Sequence, residues 1–366
     1  MLKDKIKSLT DLTWIKNKLF AKPDTILGIN IGNSYVKIVE IKEAFGELSL
    51  KSIGSSPLFG EKYTEEMTRY ERVASAITHL LELNGIAARD VVLSLGGRDV
   101  FERQVVFPKM LDAELAEAVK WDIEKYVPYE SDTYYYDFSV IETSSNEEEV
   151  SVMLVAAQKT TVDELVTLME SLNLHIIAIE GESFALARTI KDESNYIVVD
   201  IGKENGRILI YQEDVPIATR NIPLFGDSFT EAIQTILSID VLEAERLKEG
   251  RQGLMSLDDA EDDNYQRLAK ELDNLAHEFA DEILRTIEYY RVQNKDAIFD
   301  KIFLTGGGAR LNGLAEHMSN YISIPIVGLN PFVHLQINDS FDPNYIKNVS
   351  VQFSIAIGLA MRGNVV

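Results

Sequence analysis

Apolar and polar residues alternate in three short runs near the start of the chain, at 26–31, 35–42 and 48–54. Alternation with a period of two predicts strands, and the brief polar breaks between the runs predict turns. The period then changes. Residues 65–84 place Val73, Ile77, Leu80 and Leu81 on one helical face, and Asn84-Gly85 ends the helix. A strand-rich stretch follows at 91–107, then a helix near 112–126 that Pro128 stops. "TYYYDFSVIE" and "EVSVMLVAA" read as a hairpin around an acidic tip at 143–149. "TTVDELVTLMESLNL" reads as a helix with Asp163 near its start, and 182–191 as a further short one. From Tyr196 the opening pattern begins again: strand, Gly turn, strand, turn, strand. Helices at 228–238 and 241–249 follow, then the acidic loop "LDDAEDDN" and a long helix over 265–294. That helix carries Leu268, Leu272, Leu275, Phe279, Ile283, Ile287 and Tyr290 on one face. "KIFLTGGGARL" runs from strand through glycines into helix, and the pattern closes on an apolar helix at 351–361.

The second start is a repeat of the first. With Asn30 aligned to Asp200, Ile31 meets Ile201, Gly32 meets Gly202, Lys37 meets Arg207 and Ile38 meets Ile208. A long-period repeat with helices between its copies predicts two lobes of related fold, and the alternation of strands and helices makes each lobe α/β. A tight Gly turn gathers backbone N–H groups that can hold an anion such as phosphate, and Gly allows close approach to the backbone. A carboxylate at the end of the preceding strand then lies beside that anion, where it can hold a hydrated Mg²⁺. One such turn also suits an ordinary hairpin. Two copies in register, with "GGG" after a later strand, point to a nucleotide gripped from both sides.

Residues 1–22 stand apart. Leu2, Ile6, Leu9, Leu12, Ile15 and Leu19 recur at helical spacing, while Lys3, Lys5, Lys7, Lys16, Lys18 and Lys22 make the remainder basic. Such a segment suits a membrane surface or a partner; packing on the protein's own surface, or a frayed tail, are the other readings.

Composition narrows the classes. A chain of 366 residues is long for one core. Its net charge of −23 argues against binding nucleic acid, which needs clustered Lys and Arg. There is no Cys, which excludes disulfide and thiol chemistry, and the 5 His show no metal-ligand spacing. No apolar run reaches the ~20 residues of a membrane span, and the N-terminus lacks a signal core, so a cytoplasmic location is expected.

"LGINIGNSYVKIVEI", "VVDIGKENGRILIY" and "FLTGGGARLNGL" resemble the first phosphate, second phosphate and adenosine motifs of the actin and heat-shock chaperone ATPase superfamily. More narrowly, "DIEKYVPYESDTYYYDFSVI", "VMLVAAQKTTVDELVTLMESLNL", "ESFALAR" and "DSFTEAI" are similar to stretches of the PilM family of type IV pilus assembly. The resemblance covers about 25–366. It implies a two-lobed actin-like ATPase fold, with duplicated ribonuclease-H-like lobes and a small extra α+β subdomain. Residues 25–88 with 173–193 would form the first lobe, 89–172 the extra subdomain, and 194–366 the second lobe with a helical part at about 227–295. Residues 1–24 are the separate basic segment.

The resemblance also implies a site for ATP and Mg²⁺. Gly32, Asn33 and Ser34 would line the first phosphate turn, with Lys37 in the same set, and Gly202, Lys203 and Glu204 the second. Glu182 takes the acidic position that orients water or metal, and Asp200 is its catalytic companion. Asp200 and Asn30 are the expected metal positions. Glu245 and Lys248 match a Glu-x-x-Lys that reaches the ribose; three apart on a helix, they share a face, and standing alone they would read as an exposed pair. Gly306, Gly307, Gly308 and Arg310 would lie against adenine and ribose.

Two departures from the family pattern stand out. Asn30 replaces the usual Asp, keeping a carbonyl acceptor but losing a charge, and Asn205-Gly206 replace a hydroxyl residue after the second Gly. Both weaken metal and phosphate handling more than adenine binding, so hydrolysis is expected to be slow or absent. The expected partners are the cytoplasmic tail of a PilN-like inner-membrane protein, docked beside the extra subdomain, with pilus motor ATPases and self-assembly as further contacts. The chain would then be peripheral at the inner membrane, with residues 1–22 a possible membrane contact. The alternatives are an FtsA-like filament protein and a sugar-kinase-like enzyme; the latter needs a Gly-Asp motif at a pocket, and none stands in a convincing place in the sequence.

Overall fold

The computed structural model describes residues 24–362 apart from 61, 65, 98, 142–147, 251–261 and 296. The basic segment 1–22, the tip of the 143–149 hairpin and the start of the acidic loop thus lie outside the described residues.

The first three strands, β1 (Thr25–Ile31), β2 (Tyr35–Ala44) and β3 (Glu47–Pro57), form an antiparallel meander. Helix α1 (Arg69–Leu83) follows; Thr68 and Glu71 cap its start reciprocally, and Val73, Ala76, Ile77 and Leu80 face the sheet. Strand β4 (Asp90–Leu95) then pairs parallel to β1. The chain next leaves the sheet to build β5 (Val100–Pro108), α2 (Asp112–Asp122), β6 (Tyr134–Ile141) and β7 (Glu149–Gln158). It returns through α3 (Lys159–Ser171) to β8 (His175–Gly181), which pairs parallel to β4. The first sheet has the order β3-β2-β1-β4-β8, and the inserted sheet is β5-β7-β6.

After α4 (Glu182–Ala187), the second sheet repeats the first: β9 (Asn195–Ile201), β10 (Gly206–Gln212) and β11 (Val215–Ile222) form the meander. Helices α5 (Gly226–Leu237), α6 (Val241–Glu249) and α7 (Asp263–Gln293) precede β12 (Lys301–Thr305), α8 (Leu314–Met318) and β13 (Ile326–Gly328). Its order is β11-β10-β9-β12-β13, the same topology as the first sheet.

The duplication holds to single residues. Gly32 N–H donates to Tyr35 O at 2.9 Å, and Gly202 N–H to Asn205 O at 2.8 Å. Asn30 pairs with Lys37 across β1–β2, and Asp200 with Arg207 across β9–β10. Each third strand carries one extra residue at the same place, Lys51 opposite the Glu40–Ile41 step and Ile217 opposite the Ile210–Tyr211 step. Each meander also makes its outer turn with two successive left-handed residues, Phe45-Gly46 and Glu213-Asp214, which matches the strand twist.

Three boundaries differ from the sequence reading. β4 belongs to the first sheet and is buried on both sides, so the inserted sheet begins at Val100 rather than at residue 89. Leu168 and Met169 of α3 also lie in the first lobe's core. The final helices, α9 (Pro343–Val349) and α10 (Ser354–Met361), pack on β2 and β3 of the first lobe rather than closing the second. Glycines allow the fit of α10: a Cβ on Gly28 of β1 would lie 2.2 Å from Ala356 O, and one on Gly358 would lie 1.9 Å from Ala185 O. The second core is built around Phe229 of α5 and Phe279 of α7, whose rings stack at 5.6 Å.

Candidate functional site

Both Gly turns face one cleft between the lobes. The Ser34 hydroxyl donates to Glu204 Oε1 at 3.0 Å and the Asn33 amide to Glu204 Oε2 at 3.5 Å, so the tips of the two turns touch. Lys203 sets its ammonium 4.6 Å from the centre of the Phe59 ring, a second contact between the lobes. Arg69 donates to the carbonyls of Gly32 at 3.0 Å and Asn33 at 3.1 Å, which pins the first turn from α1.

The glycines converge on the second turn. Gly226 N–H donates to Gly202 O at 2.8 Å and Asp227 N–H to Lys203 O at 2.9 Å. Gly308 lies against both: a Cβ there would meet Ile201 Cγ2 at 2.4 Å and Gly226 Cα at 3.1 Å. Gly306 has φ +90° and holds a left-handed turn beside Asp200, whereas Gly307 has nothing within 4 Å of where its Cβ would lie. A Gly-Asp pair, Gly226-Asp227, thus does stand at the cleft, although its backbone donors serve the fold and Asp227 Oδ1 is buried without a hydrogen bond. Asn205 folds back over Gly202, which leaves no hydroxyl at this turn, as its sequence implies.

Glu245 and Lys248 share one face of α6. The Lys248 ammonium is buried and donates to Thr230 Oγ1 at 2.6 Å, Glu245 Oε1 at 3.0 Å and Gly226 O at 3.2 Å. All three ammonium donors are therefore used inside the protein, and Lys248 holds Glu245 and the α5 start in place. Arg310 pairs with Glu249 at 3.0 Å. Tyr35 reads the proximity of this corner to the first turn: burial first, then the charges of Glu249 and Glu245, push its phenol above the ordinary range.

At the base of the cleft, Glu182 from α4 and Asp200 from β9 meet Arg207 from β10. One nitrogen, Arg207 Nη2, lies 2.5 Å from Glu182 Oε2 and 2.5 Å from Asp200 Oδ2. Burial works against the guanidinium charge, and the two carboxylates outweigh it, so Arg207 stays protonated. Asn30 Nδ2 donates to the other Glu182 oxygen at 2.8 Å and to Ser94 Oγ at 3.0 Å. Lys37 lies near the same carboxylates. Burial pushes its ammonium below the ordinary range, Asp200 and Glu182 pull it back, and it forms no ion pair among the described residues.

This geometry changes the metal expectation for Asn30 and Asp200. Asn30 turns its amide N–H groups, not its carbonyl, toward Glu182. The carboxylate of Asp200 is bonded to a guanidinium. A hydrated Mg²⁺ needs free oxygen ligands; Arg207 holds Glu182 Oε2 and Asp200 Oδ2, and Asn30 holds Glu182 Oε1, so the two carboxylates do not fit a metal that bridges them. Among the described residues no group of three or more His, Cys, Asp or Glu could hold one. Sequence reasoning missed Arg207 and Ser94. The signal for Arg207 was its place in the repeat, opposite the basic Lys37.

Comparison with known proteins gives the chain its relatives. A family model described as type IV pilus assembly protein PilM matches residues 28–364. A chain of a solved PilM-PilN type IV pilus biogenesis complex is 27% identical, with a TM-score of 0.77 over 94% of this chain and 99% of that one. The ethanolamine utilization protein EutJ from Carboxydothermus hydrogenoformans shares the fold at 13% identity, with a TM-score of 0.53 over 98% of this chain and 97% of that one. The cell division protein FtsA of Bacillus subtilis (strain 168) is 26% identical over 225 residues, 56% of this chain and 50% of that protein. The match thus spans about half the length of that curated relative. The two-lobed actin-like fold expected from the sequence is the fold of this chain.

Proposed function

The chain belongs to the PilM family of type IV pilus assembly proteins, and from that premise we propose that it binds ATP between its lobes and docks the cytoplasmic tail of a PilN-like inner-membrane protein. The observation that carries the nucleotide reading is the meeting of the two Gly turns through Ser34 and Glu204. A ligand there touches both lobes at once, so its affinity depends on how the lobes close. Lys37, Lys203 and the backbone N–H groups of the turns would meet the phosphates. Gly306, Gly307, Gly308 and Arg310 would flank the adenosine, with Glu245 turned to the ribose.

The same geometry supports slow turnover. Both oxygens of Glu182 are engaged, one by Asn30 and one by Arg207, so its carboxylate is not free to orient water. The nucleotide then acts as a conformational ligand, favouring the closed arrangement by its differential affinity.

The partner reading rests on the solved PilM-PilN complex, whose PilM-like chain this one matches over 94% of its length. Strand β8 is an open edge of the first sheet and carries the exposed Ile177; β6 is an open edge of the inserted sheet and carries the exposed Val140. Helix α3 packs against both strands. An extended tail docks on such an edge through backbone pairing, and this attachment would hold the chain at the inner membrane. Among the described residues no helix is long and apolar enough to cross a membrane. The test is capture of the full chain on an immobilised tail peptide, with and without ATP. Capture whose strength changes with ATP is expected; no capture in either condition contradicts the proposal.

A further inference from the structure

Glu182 opens α4 and Asp200 lies in β9, so the two carboxylates come from the link between the lobes and from the second lobe. Their oxygens converge on one point, the arrangement that a divalent cation between two acidic ligands would produce. The atom at that point is Arg207 Nη2, 2.5 Å from each. Three features show that the guanidinium is built into this place. Arg207 is only 4% exposed. Gly97, at the turn after β4, makes room for it: a Cβ there would lie 2.9 Å from Arg207 Nη1 and 3.0 Å from Arg207 Cδ. And Asn30 carries no charge and donates to the remaining Glu182 oxygen, where an Asp would repel it.

We propose that Arg207 is the resident cation of this cleft, standing where a divalent metal would bridge Glu182 and Asp200, so that nucleotide is bound without a metal held by the protein. The ligand half of this statement rests on the nucleotide reading above; the cation half does not. Arg207 and Lys37 already balance the two carboxylates in charge. A dication entering between them would have to displace a buried guanidinium and leave it unpaired, which is costly. The phosphates of a bound nucleotide are left to Lys37, Lys203 and the turn backbones. Without a protein-held metal to bridge and neutralise the transferring phosphate, the cleft binds better than it hydrolyses.

Two measurements on the full chain separate the halves. Electron paramagnetic resonance counts Mn²⁺ bound to the nucleotide-free protein, and a fluorescent ATP analogue is titrated in Mg²⁺ and in EDTA. The wild-type protein is expected to bind no Mn²⁺ in the cleft, and its analogue Kd to change by less than roughly threefold between the two media. Arg207→Met frees the carboxylates: it should gain a Mn²⁺ site that the added Asp200→Asn removes, and its nucleotide binding should weaken at least roughly tenfold in EDTA. Arg207→Lys keeps a cation and should behave as wild type; it serves if the Met variant does not fold. A wild-type Mn²⁺ site lost in Asp200→Asn overturns the proposal, as does a tenfold loss of wild-type binding in EDTA. A folded Arg207→Met that gains no Mn²⁺ overturns it too. No nucleotide binding in either medium, with no Mn²⁺ bound, removes the nucleotide reading while Arg207 stands as the resident cation.

Discussion

The hydroxyl of Ser34 donates to the carboxylate of Glu204 at 3.0 Å, although 170 residues separate the two. Each sits at the tip of its own Gly turn, so this bond marks where the two copies of the repeat face each other. It also puts a negative charge where a phosphate would bind. A phosphate must compete with Glu204 for Ser34 and Asn33, and it is repelled by the carboxylate it displaces.

Glu204→Gln is therefore expected to tighten ATP binding by roughly three- to tenfold, by removing one charge from the turn while keeping an acceptor for Ser34. Titration with a fluorescent analogue measures it. Weaker binding would mean that Glu204 holds the ligand rather than guarding its place.

Glu102 links the inserted sheet to the floor of the cleft. It accepts from Ser183 Oγ at 2.6 Å, while its Oε1 is buried with no hydrogen-bond partner. Burial pushes its carboxyl above the ordinary range. A folded-state value above the unfolded one means that the native protein binds the proton more tightly, so stability falls as pH rises from the ordinary Glu value through the raised one. Glu102→Gln removes that cost. It should stabilise the protein by about 1–2 kcal/mol at pH 8, with the gain shrinking toward pH 4. Thermal melts across that range decide it; a variant less stable at pH 8 would show that the charge is needed.

Much of the fold was legible because period-two alternation in β1–β3 and β9–β11 is strong, and the repeat showed itself in register. What failed had physical reasons. "DVVLSLGGRDVFERQVVF" reads as one strand-rich run, yet Gly96-Gly97 divide it between two sheets. Helix α10 is buried on nearly all sides, so its pattern carries no stripe to say which lobe it joins. In the site, the two Gly turns meet through Ser34 and Glu204, but a linear reading could not show that Arg207 reaches Glu182 or that Asn30 turns its amide the other way. Both depend on contacts between distant segments.

Residues 1–22 lie outside the described residues, so their test is independent of the fold. A basic amphipathic helix should bind anionic liposomes and release them as salt rises. Deleting 1–22 is expected to abolish co-sedimentation without lowering the melting temperature of the rest. Equal sedimentation of the shortened chain would assign membrane contact elsewhere.

The proposed nucleotide lies between the lobes, against the glycines after β12. Gly307 is the clean place to test it. Its φ is −64°, and a side chain there meets no protein atom within 4 Å of its Cβ, so Gly307→Val should fold normally while filling the space meant for the ligand. Gly306 is the control: with φ +90° and Ile201 O 2.4 Å from its would-be Cβ, a substitution there damages the fold itself. Isothermal titration calorimetry of ATP into wild type and Gly307→Val is the deciding measurement. A saturable heat is expected for wild type and none for a Gly307→Val protein of unchanged melting temperature. Equal binding by both proteins would contradict it.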